Sequence, residues 1–256
     1  MVKRLFFRDN NKIHWFPGYE EKPEILFGQD NSFTIRNFRN ALMIDNTLHF
    51  EWQDKTLNLD DIASVDLVIS YWSSRHIAHV FLSFGFSSGD YVAISIETRR
   101  RASQHYSTWK GFFNTYELIY VVADERDLIG VRANIRKEDV YIYRVNVTKE
   151  VCRQVFLDYA GRINSLKNND EFYNTLRNNC TTNILRHSRK AAPDFKYNWM
   201  VLFSGHVDRY CYDLGLLDNT LTIEALRANS KVAPVTGILN EDYSQRIRPG
   251  YREPEQ

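Results

Sequence analysis

The sequence predicts an α+β domain in which helices pack on one face of an antiparallel sheet. Between Val65 and Val147, apolar residues recur in short, β-rich runs separated by turn residues. After Thr148 the apolar period lengthens from two to about 3.6 residues, which is the period of a helix. Hydrophobic residues make up 43 % of the 256 residues and aromatic residues 14 %, enough to build a substantial core.

The predicted strands come first along the chain, and the clearest are two that form a hairpin. His79 to Phe86 and Tyr91 to Glu97 are β-rich runs on either side of the Gly-containing turn Ser87 to Asp90. Further strands are predicted at 32–37, 47–52, 65–72, 118–123 and 140–147.

The predicted helices follow the strands. The first begins after Thr148, a suitable N-cap, with apolar residues at Val151, Val155, Tyr159 and Ile163. Three more are predicted over 171–176, 180–189 and 200–214, the third helix ending before Pro193 and the fourth before Gly215.

Charge and motif content exclude several classes of function. A net charge of +1 gives no reason to expect nucleic acid as a partner. The three cysteines match neither a zinc site nor a redox CxxC pair, and we expect Cys152 and Cys211 to be buried core thiols. His76 and His79 form an HxxH, but on a strand their rings point to opposite faces, so no metal site is predicted. No P-loop, GxGxxG or GxSxG is present, and we expect no cofactor.

Cys180 is the strongest candidate nucleophile. It follows the turn pair Asn178-Asn179 and opens a predicted amphipathic helix. The N–H groups and dipole at a helix start favour the thiolate, and the same N–H groups can hold an oxyanion. Thr181 and Asn179 are therefore candidates for binding substrate or oxyanion. The alternative is that Cys180 is simply a small buried residue, since free cysteines are often buried.

A reactive cysteine needs a base, and the chain has seven histidines. His187 lies two turns beyond Cys180 on the same helix, roughly 10 Å away, so we expect it at the surface. His105 falls in a polar basic segment, and His14 and His49 fall in the weakly patterned N-terminal third. His206 lies within the fourth predicted helix.

His79 is the candidate base, because the hairpin offers it a carboxylate. Alternation puts Val80, Leu82 and the other large apolar residues on one face of the hairpin. The other face carries His79, Glu97 and small polar residues, and hairpin pairing brings positions 79 and 97 opposite each other. We expect the helix that begins at Cys180 to pack on this small, polar face. A histidine at a strand start can equally be a hydrogen-bonded structural residue.

Arg99, Arg100 and Arg101 follow the hairpin directly. Three adjacent guanidinium groups could bind a phosphate, and Arg99 is the candidate substrate-binding residue among them. The alternative is a solvated loop face.

Several segments, in one order, closely resemble the N-terminal periplasmic domain of the Lnb lipoprotein N-acyltransferase family. The resemblance covers roughly residues 30 to 230, and the runs that carry it are 64–72, 77–86, 95–99, 116–126, 172–176, 178–183 and 212–218. The resemblance implies a circularly permuted papain-like fold, similar to NlpC and lecithin:retinol acyltransferase-like enzymes. The family's cysteine falls on Cys180 and its strand histidine on His79, while Glu97 as the third catalytic residue rests on the hairpin geometry.

The resemblance further implies an activity. A phospholipid would donate an acyl chain to the cysteine as a thioester, and the N-terminal amine of a lipoprotein would accept it at the membrane surface. Two alternatives stay open: a cysteine amidase or peptidase acting on cell-wall peptide or protein, and a non-catalytic binding module.

The implied compartment is the periplasm or cell envelope. Many family members carry a hydrophobic membrane segment ahead of this domain and none is visible here, so we expect a domain excised from a membrane-anchored protein. The expected organisation is an extension over 1–30, the catalytic domain over 31–230 and a tail over 231–256.

Overall fold

The computed structural model describes residues 13–44, 47–104, 115–174, 178–189, 196, 199–235 and 239–248. They form an open, mostly antiparallel sheet with helical segments on both of its faces. The predicted α+β class is therefore confirmed. Its finer assignment as a circularly permuted papain-like fold stays a prediction.

Eight strands make up the sheet. They are β1 (Glu24–Phe27), β2 (Ser32–Ile44), β3 (Thr47–Asn58), β4 (Ile62–Ser74), β5 (Ile77–Phe86), β6 (Tyr91–Arg99), β7 (Glu117–Ala123) and β8 (Asp139–Arg144). Their order across the sheet is β1-β2-β7-β6-β5-β4-β8, and β3 pairs with β2 beside that path. β2 and β7 run parallel, whereas the other described pairings are antiparallel.

The predicted hairpin is formed by β5 and β6. Its turn is closed by a hydrogen bond from Phe86 N to Asp90 O of 2.9 Å, and Gly89 adopts a φ of +90° there. A residue with a Cβ is strained at that angle, which is why the turn favours glycine. The predicted turn is thus confirmed.

The hairpin separates two hydrophobic clusters. On what we call the first face, Val80, Leu82 and Ile94 belong to the larger cluster. On the second face, Phe81 and Ala93 belong to the smaller one. The alternation predicted from the sequence is confirmed, and both faces of the sheet are covered.

The helices are α1 (Lys149–Asn168), α2 (Cys180–Ser188), α3 (Trp199–Leu202), α4 (Val207–Asp213), α5 (Ile223–Ser230) and α6 (Tyr243–Arg246), together with a π-helix (Arg126–Ile135) and 3-10 turns at Leu59–Asp61 and Ser204–His206. Thr148 caps α1 by accepting a hydrogen bond from Val151 N, as predicted. Gly215 follows α4 with a φ of +71°, the left-handed conformation that commonly ends a helix.

Three helix predictions need correction. Residues 171–174 are not helical, because Phe172 and Asn174 form isolated bridges instead; the rest of the predicted 171–176 helix lies outside the described residues. The predicted 200–214 helix is broken into α3, a 3-10 turn and α4. Helices do not cover one face alone, since the π-helix and α6 contribute Leu128, Ile129 and Tyr243 to the second cluster. Pro193, the predicted end of the third helix, lies outside the described residues.

The predicted domain boundaries stay predictions, although residues on both sides of them pack together. β1 pairs with β2 across the boundary at residue 30. Beyond residue 230, Val232, Tyr243 and Ile247 are buried in the second cluster. The terminal segments thus contribute to the same body as the residues between them.

Candidate functional site

Cys180 is the first residue of α2, as predicted. Asn179 is the N-cap: its side chain accepts a 2.8 Å hydrogen bond from Thr182 N, while the Thr182 hydroxyl accepts one of 2.9 Å from Asn179 N. This reciprocal pair is a capping box, which fixes the direction in which the helix leaves the turn. The position of the Cys180 side chain is therefore held by local hydrogen bonds.

The thiol of Cys180 sits in the first cluster, only 7 % exposed. Burial raises its pKa above the ordinary value, while the backbone amides of Val80, Thr181 and Cys180 itself act in the opposite direction. Burial prevails, so the resting group is the protonated thiol. A base is needed to ionise it, and the three amides are placed to stabilise the negative charge that follows.

His79 and Glu97 are brought together on the second face. His79 Nε2 lies 2.6 Å from Ser95 Oγ, and Ser95 Oγ donates a 2.8 Å hydrogen bond to Glu97 Oε1. The distance from His79 Nε2 to Glu97 Oε1 is 3.8 Å. The predicted proximity of the imidazole and the carboxylate is confirmed, with Ser95 as a bridge that the sequence did not reveal.

The two nitrogens of His79 therefore differ. Nε2 is anchored through Ser95, whereas no described residue hydrogen-bonds Nδ1. An imidazole with one nitrogen held and the other free is the arrangement that a general base requires.

Glu97 is held by groups that the sequence analysis missed. Arg132 Nη2 donates a 2.8 Å hydrogen bond to Oε1, and the Tyr19 hydroxyl donates to Oε2. Burial alone would raise the pKa of Glu97, but the charges of Arg132 and Arg39 and the hydrogen bond from Tyr19 hold it well below its usual range. Glu97 is thus a permanent anion. Tyr19 and Arg132 are far from Glu97 in sequence and carry no local signal.

One expectation about α2 needs correction. α2 packs on the first face, where Cys180 and Ile184 share a cluster with Val80, and not on the small polar face. Helix α2 contributes large apolar side chains, so the apolar face buries more of its surface.

The backbone next to His79 contacts the Cys180 thiol. The β5–β6 ladder ends at Leu82↔Ile94. Beyond it the amide of Val80, which belongs to the His79–Val80 peptide, interacts with the Cys180 sulfur. No hydrogen bond joins Cys180 to the His79 ring in the described part of the chain.

Burial and the neighbouring Arg132 lower the pKa of His79 to about 4, with Glu97 opposing them. The imidazole is neutral at pH 7 and can accept a proton. In the unfolded chain the pKa returns to 6.5. Folding therefore favours the neutral ring. The contribution of His79 to the free energy of unfolding is fully present above pH 6.5 and is lost as the pH falls towards 4.

We predict that acid destabilises the wild-type protein more than a His79→Gln variant. A shift from 6.5 to about 4 corresponds to about 3 kcal/mol. Urea unfolding at pH 7 and pH 4.5 measures the loss in each protein. Burial also lowers the pKa of His187, but both proteins contain this residue. The difference between their losses in unfolding free energy therefore reports on His79. Equal losses in the two proteins would contradict the assignment of a neutral, buried imidazole.

The remaining predicted site residues have structural partners. Thr181 Oγ1 lies 2.9 Å from the carbonyl oxygen of Val201 and 3.0 Å from Asn179 Oδ1, and its single hydroxyl hydrogen is shared between these two acceptors, which ties α2 to α3. Arg99 is buried rather than part of a solvated loop face. It donates to the carbonyls of Tyr19 and Glu20 at 2.8 and 2.6 Å. Its substrate-binding role stays a prediction, and its contacts anchor the N-terminal segment.

His187 is not at the surface, contrary to expectation. It is 2 % exposed, with Nδ1 2.6 Å from Asp158 Oδ2 and Nε2 2.8 Å from the Tyr120 hydroxyl. Its ring centroid lies 4.0 Å from that of Tyr159. Both nitrogens are occupied, so His187 is a satisfied core residue rather than a competing base. The prediction considered only the helix that carries His187, and it missed the burial because the hydrogen-bond partners come from α1 and β7.

The other histidines and cysteines also have defined surroundings. His76 Nδ1 lies 2.9 Å from His206 Nε2. Within the described ranges no group of three or more His, Cys, Asp or Glu residues is arranged to hold a metal ion. Cys152 and Cys211 are buried and free, as predicted. His14 and His49 are exposed, and His105 lies outside the described residues.

Comparison with known proteins gives one match. The model of the family described as Lnb N-terminal periplasmic domain matches residues 49–210, more than half of the chain. The matched range contains Cys180, His79 and Glu97 but neither Tyr19 nor α5 and α6. No curated protein and no solved structure matches the chain. None of the helices in the described residues is long and apolar enough to cross a membrane.

Proposed function

The chain belongs to the Lnb N-terminal periplasmic domain family, which connects it with lipoprotein processing in the periplasm, and from that premise we propose that it is a thiol acyltransferase. The acyl donor is a phospholipid, and the acceptor is the N-terminal amine of a lipoprotein. Cys180 is the nucleophile, His79 the base and Glu97 the residue that orients the base.

The observation that carries this proposal is the environment of one sulfur atom. The Cys180 thiol lies at a capped helix start, with three backbone amides acting on it, one of which belongs to the peptide of His79. Ser95 and Glu97 hold one nitrogen of the His79 imidazole. Nucleophile, anion-stabilising donors and an oriented base are the parts that acyl transfer through a thioester needs.

In the first step, His79 Nδ1 takes the proton from Cys180, and the thiolate attacks an ester carbonyl of the phospholipid. The amides that favour the thiolate are placed to donate to the oxyanion that forms. When the carbon–oxygen bond breaks, the leaving lysophospholipid oxygen takes the proton from His79. The product is a thioester on Cys180.

In the second step, the lipoprotein amine attacks the thioester carbonyl. His79 accepts the proton that the amine loses as the new amide forms. The sulfur leaves as thiolate and takes that proton back from the imidazolium. The anion of Glu97 favours the imidazolium in both steps, while burial and the charge of Arg132 keep the resting ring neutral.

Exposed apolar residues on two neighbouring elements support a membrane partner. Trp72 and Ile77 lie near the tip of the β4–β5 hairpin, and Trp199, Leu202 and Phe203 lie on or next to α3. The two elements meet where the rings of Trp199 and His206 stand 5.3 Å apart and His76 contacts His206. Aromatic residues favour the membrane–water interface. A hydrogen bond from Thr181 to the Val201 carbonyl joins α3 to the start of α2.

The experiment that tests the proposal is the intact mass of the protein after incubation with phospholipid vesicles. We expect an increase equal to one acyl group, removed by hydroxylamine, which cleaves thioesters. Absence of an adduct on folded protein, with cleavage of a cell-wall peptide instead, would favour the amidase alternative. Absence of both reactions, with Cys180 inert to alkylation, would favour a binding module.

We predict that His79→Gln slows adduct formation by about 10²–10⁴-fold, the usual contribution of a positioned base. Glutamine retains a group able to hydrogen-bond Ser95 but cannot take the proton. The measurement is the rate of thioester formation from vesicles at pH 7. His49→Gln is the matched control, because it makes the same substitution at an exposed position of β3, outside the Glu97 network. A wild-type rate in His79→Gln would eliminate His79 as the base.

A further inference from the structure

An apolar cavity lies between the sheet, α1, α2 and α4. Its volume is about 60 Å³, enough for several water-sized groups. Buried side chains form its floor, and half-buried ones form a rim that includes Val145, Val147 and Val151. The lining as a whole consists of Val65, Leu67, Leu82, Val145, Val147, Val151, Val155, Ile184, Ser188, Cys211 and Leu216.

Both elements next to the Cys180 thiol, α2 and β5, contribute residues to the lining of the cavity. On α2, Ile184 lines the cavity four residues after Cys180, which is about 6 Å along the same helix face. On β5, Leu82 lines it two residues after Val80, which is about 6.6 Å along the same strand face. Two independent directions thus lead from the sulfur to the same space.

The chemistry of the lining selects the occupant. Nine of its eleven side chains are valine, leucine or isoleucine, and the two others are Ser188 and Cys211. Burial raises the pKa of the Cys211 thiol to about 12, so this group stays neutral and behaves as an apolar side chain. With so few polar groups, the cavity gives water few hydrogen-bond partners, whereas a saturated hydrocarbon chain can bury its apolar surface there.

We propose that this cavity binds the acyl chain that Cys180 carries. The carbonyl carbon lies at the sulfur, beside the amides of Val80 and Thr181, and the first methylenes run between Ile184 and Leu82 into the cavity. The rest of the chain leaves past the valine rim. The inference rests on the proposed acyltransferase function for the origin of the chain, but the binding itself requires no chemistry.

The test therefore uses a Cys180→Ala protein, which cannot form a thioester. Its affinity for monomeric straight-chain alkanoates from six to twelve carbons is measured by calorimetry below their micelle concentrations. We expect one saturable site whose affinity rises about fourfold per methylene until the cavity is full. Absence of a saturable site on folded protein would overturn the proposal.

A pair of matched variants on α1 locates the site. Val151→Phe fills the rim and should weaken binding of the longest chain at least about tenfold. Leu157→Phe makes the same kind of change at an exposed position of the same helix and should leave binding unchanged. Equal affinities in the two backgrounds would place the ligand elsewhere and overturn the proposal. Alkanoate binding without any vesicle-derived adduct in the wild type would separate failure of the proposed function from failure of this site.

Discussion

Cys180→Ala is expected to abolish the acyl adduct completely, the largest effect on activity that we predict. The sulfur is the only atom through which the proposed thioester forms, and no neighbouring side chain can replace it. Alanine removes the sulfur while leaving the Asn179–Thr182 capping box intact. The measurement is the fraction of acylated protein by intact mass after incubation with phospholipid vesicles.

Cys152→Ala is the matched control for that experiment. Cys152 is also a buried, free cysteine with a pKa raised by burial, but it lies within α1 and not at the start of a helix. This variant should acquire the same hydroxylamine-sensitive adduct as the wild type. An adduct that persists in Cys180→Ala and disappears in Cys152→Ala would identify Cys152 as the nucleophile and refute the proposed site.

Asp127→Ala is expected to lower the free energy of unfolding by about 3–5 kcal/mol, a large part of the total margin. Arg39 Nε and Nη2 each donate a 2.8 Å hydrogen bond to the Asp127 carboxylate, and both side chains are buried. Removing the carboxylate leaves a guanidinium without its counter-ion in a low-dielectric interior. Urea unfolding at pH 7 measures the change.

Asp213→Ala provides the comparison for a solvent-exposed pair. Asp213 accepts a 2.8 Å hydrogen bond from Arg209 on the surface of α4, and its loss should cost less than about 1 kcal/mol. Similar losses for Asp127→Ala and Asp213→Ala would contradict the role assigned to the buried pair. The double variant Arg39→Met/Asp127→Leu should recover stability relative to Asp127→Ala, because no charge is then left unpaired.

Local rules in the sequence predicted the elements that carry the candidate site. The period-two runs around Ser87 to Asp90 gave the β5–β6 hairpin and the split of its side chains between two faces. The turn pair Asn178-Asn179 marked the start of α2 at Cys180. These features depend on residues a few positions apart, where backbone preferences and side-chain alternation act directly.

Predictions failed where residues distant in sequence decide the outcome. His187 is polar and lies near a helix end, yet Asp158 and Tyr120 satisfy both of its nitrogens and make burial possible. A helix was predicted over residues 171–174, but hydrogen bonds to β7 and to the residue before it hold them in extended bridges. Leu118 N donates to Glu171 O, and Tyr173 N donates to Tyr116 O.

The sequence by itself determined the hairpin, the position of Cys180 at a helix start and the proximity of His79 to Glu97, because each follows from short-range periodicity and capping. Only the tertiary structure decided which face α2 covers, how Tyr19 and Arg132 hold Glu97, and where an apolar cavity opens between the sheet, α1, α2 and α4. Such features arise when elements far apart in the chain compete to bury apolar surface and to pair buried charges, and no local pattern records the outcome of that competition.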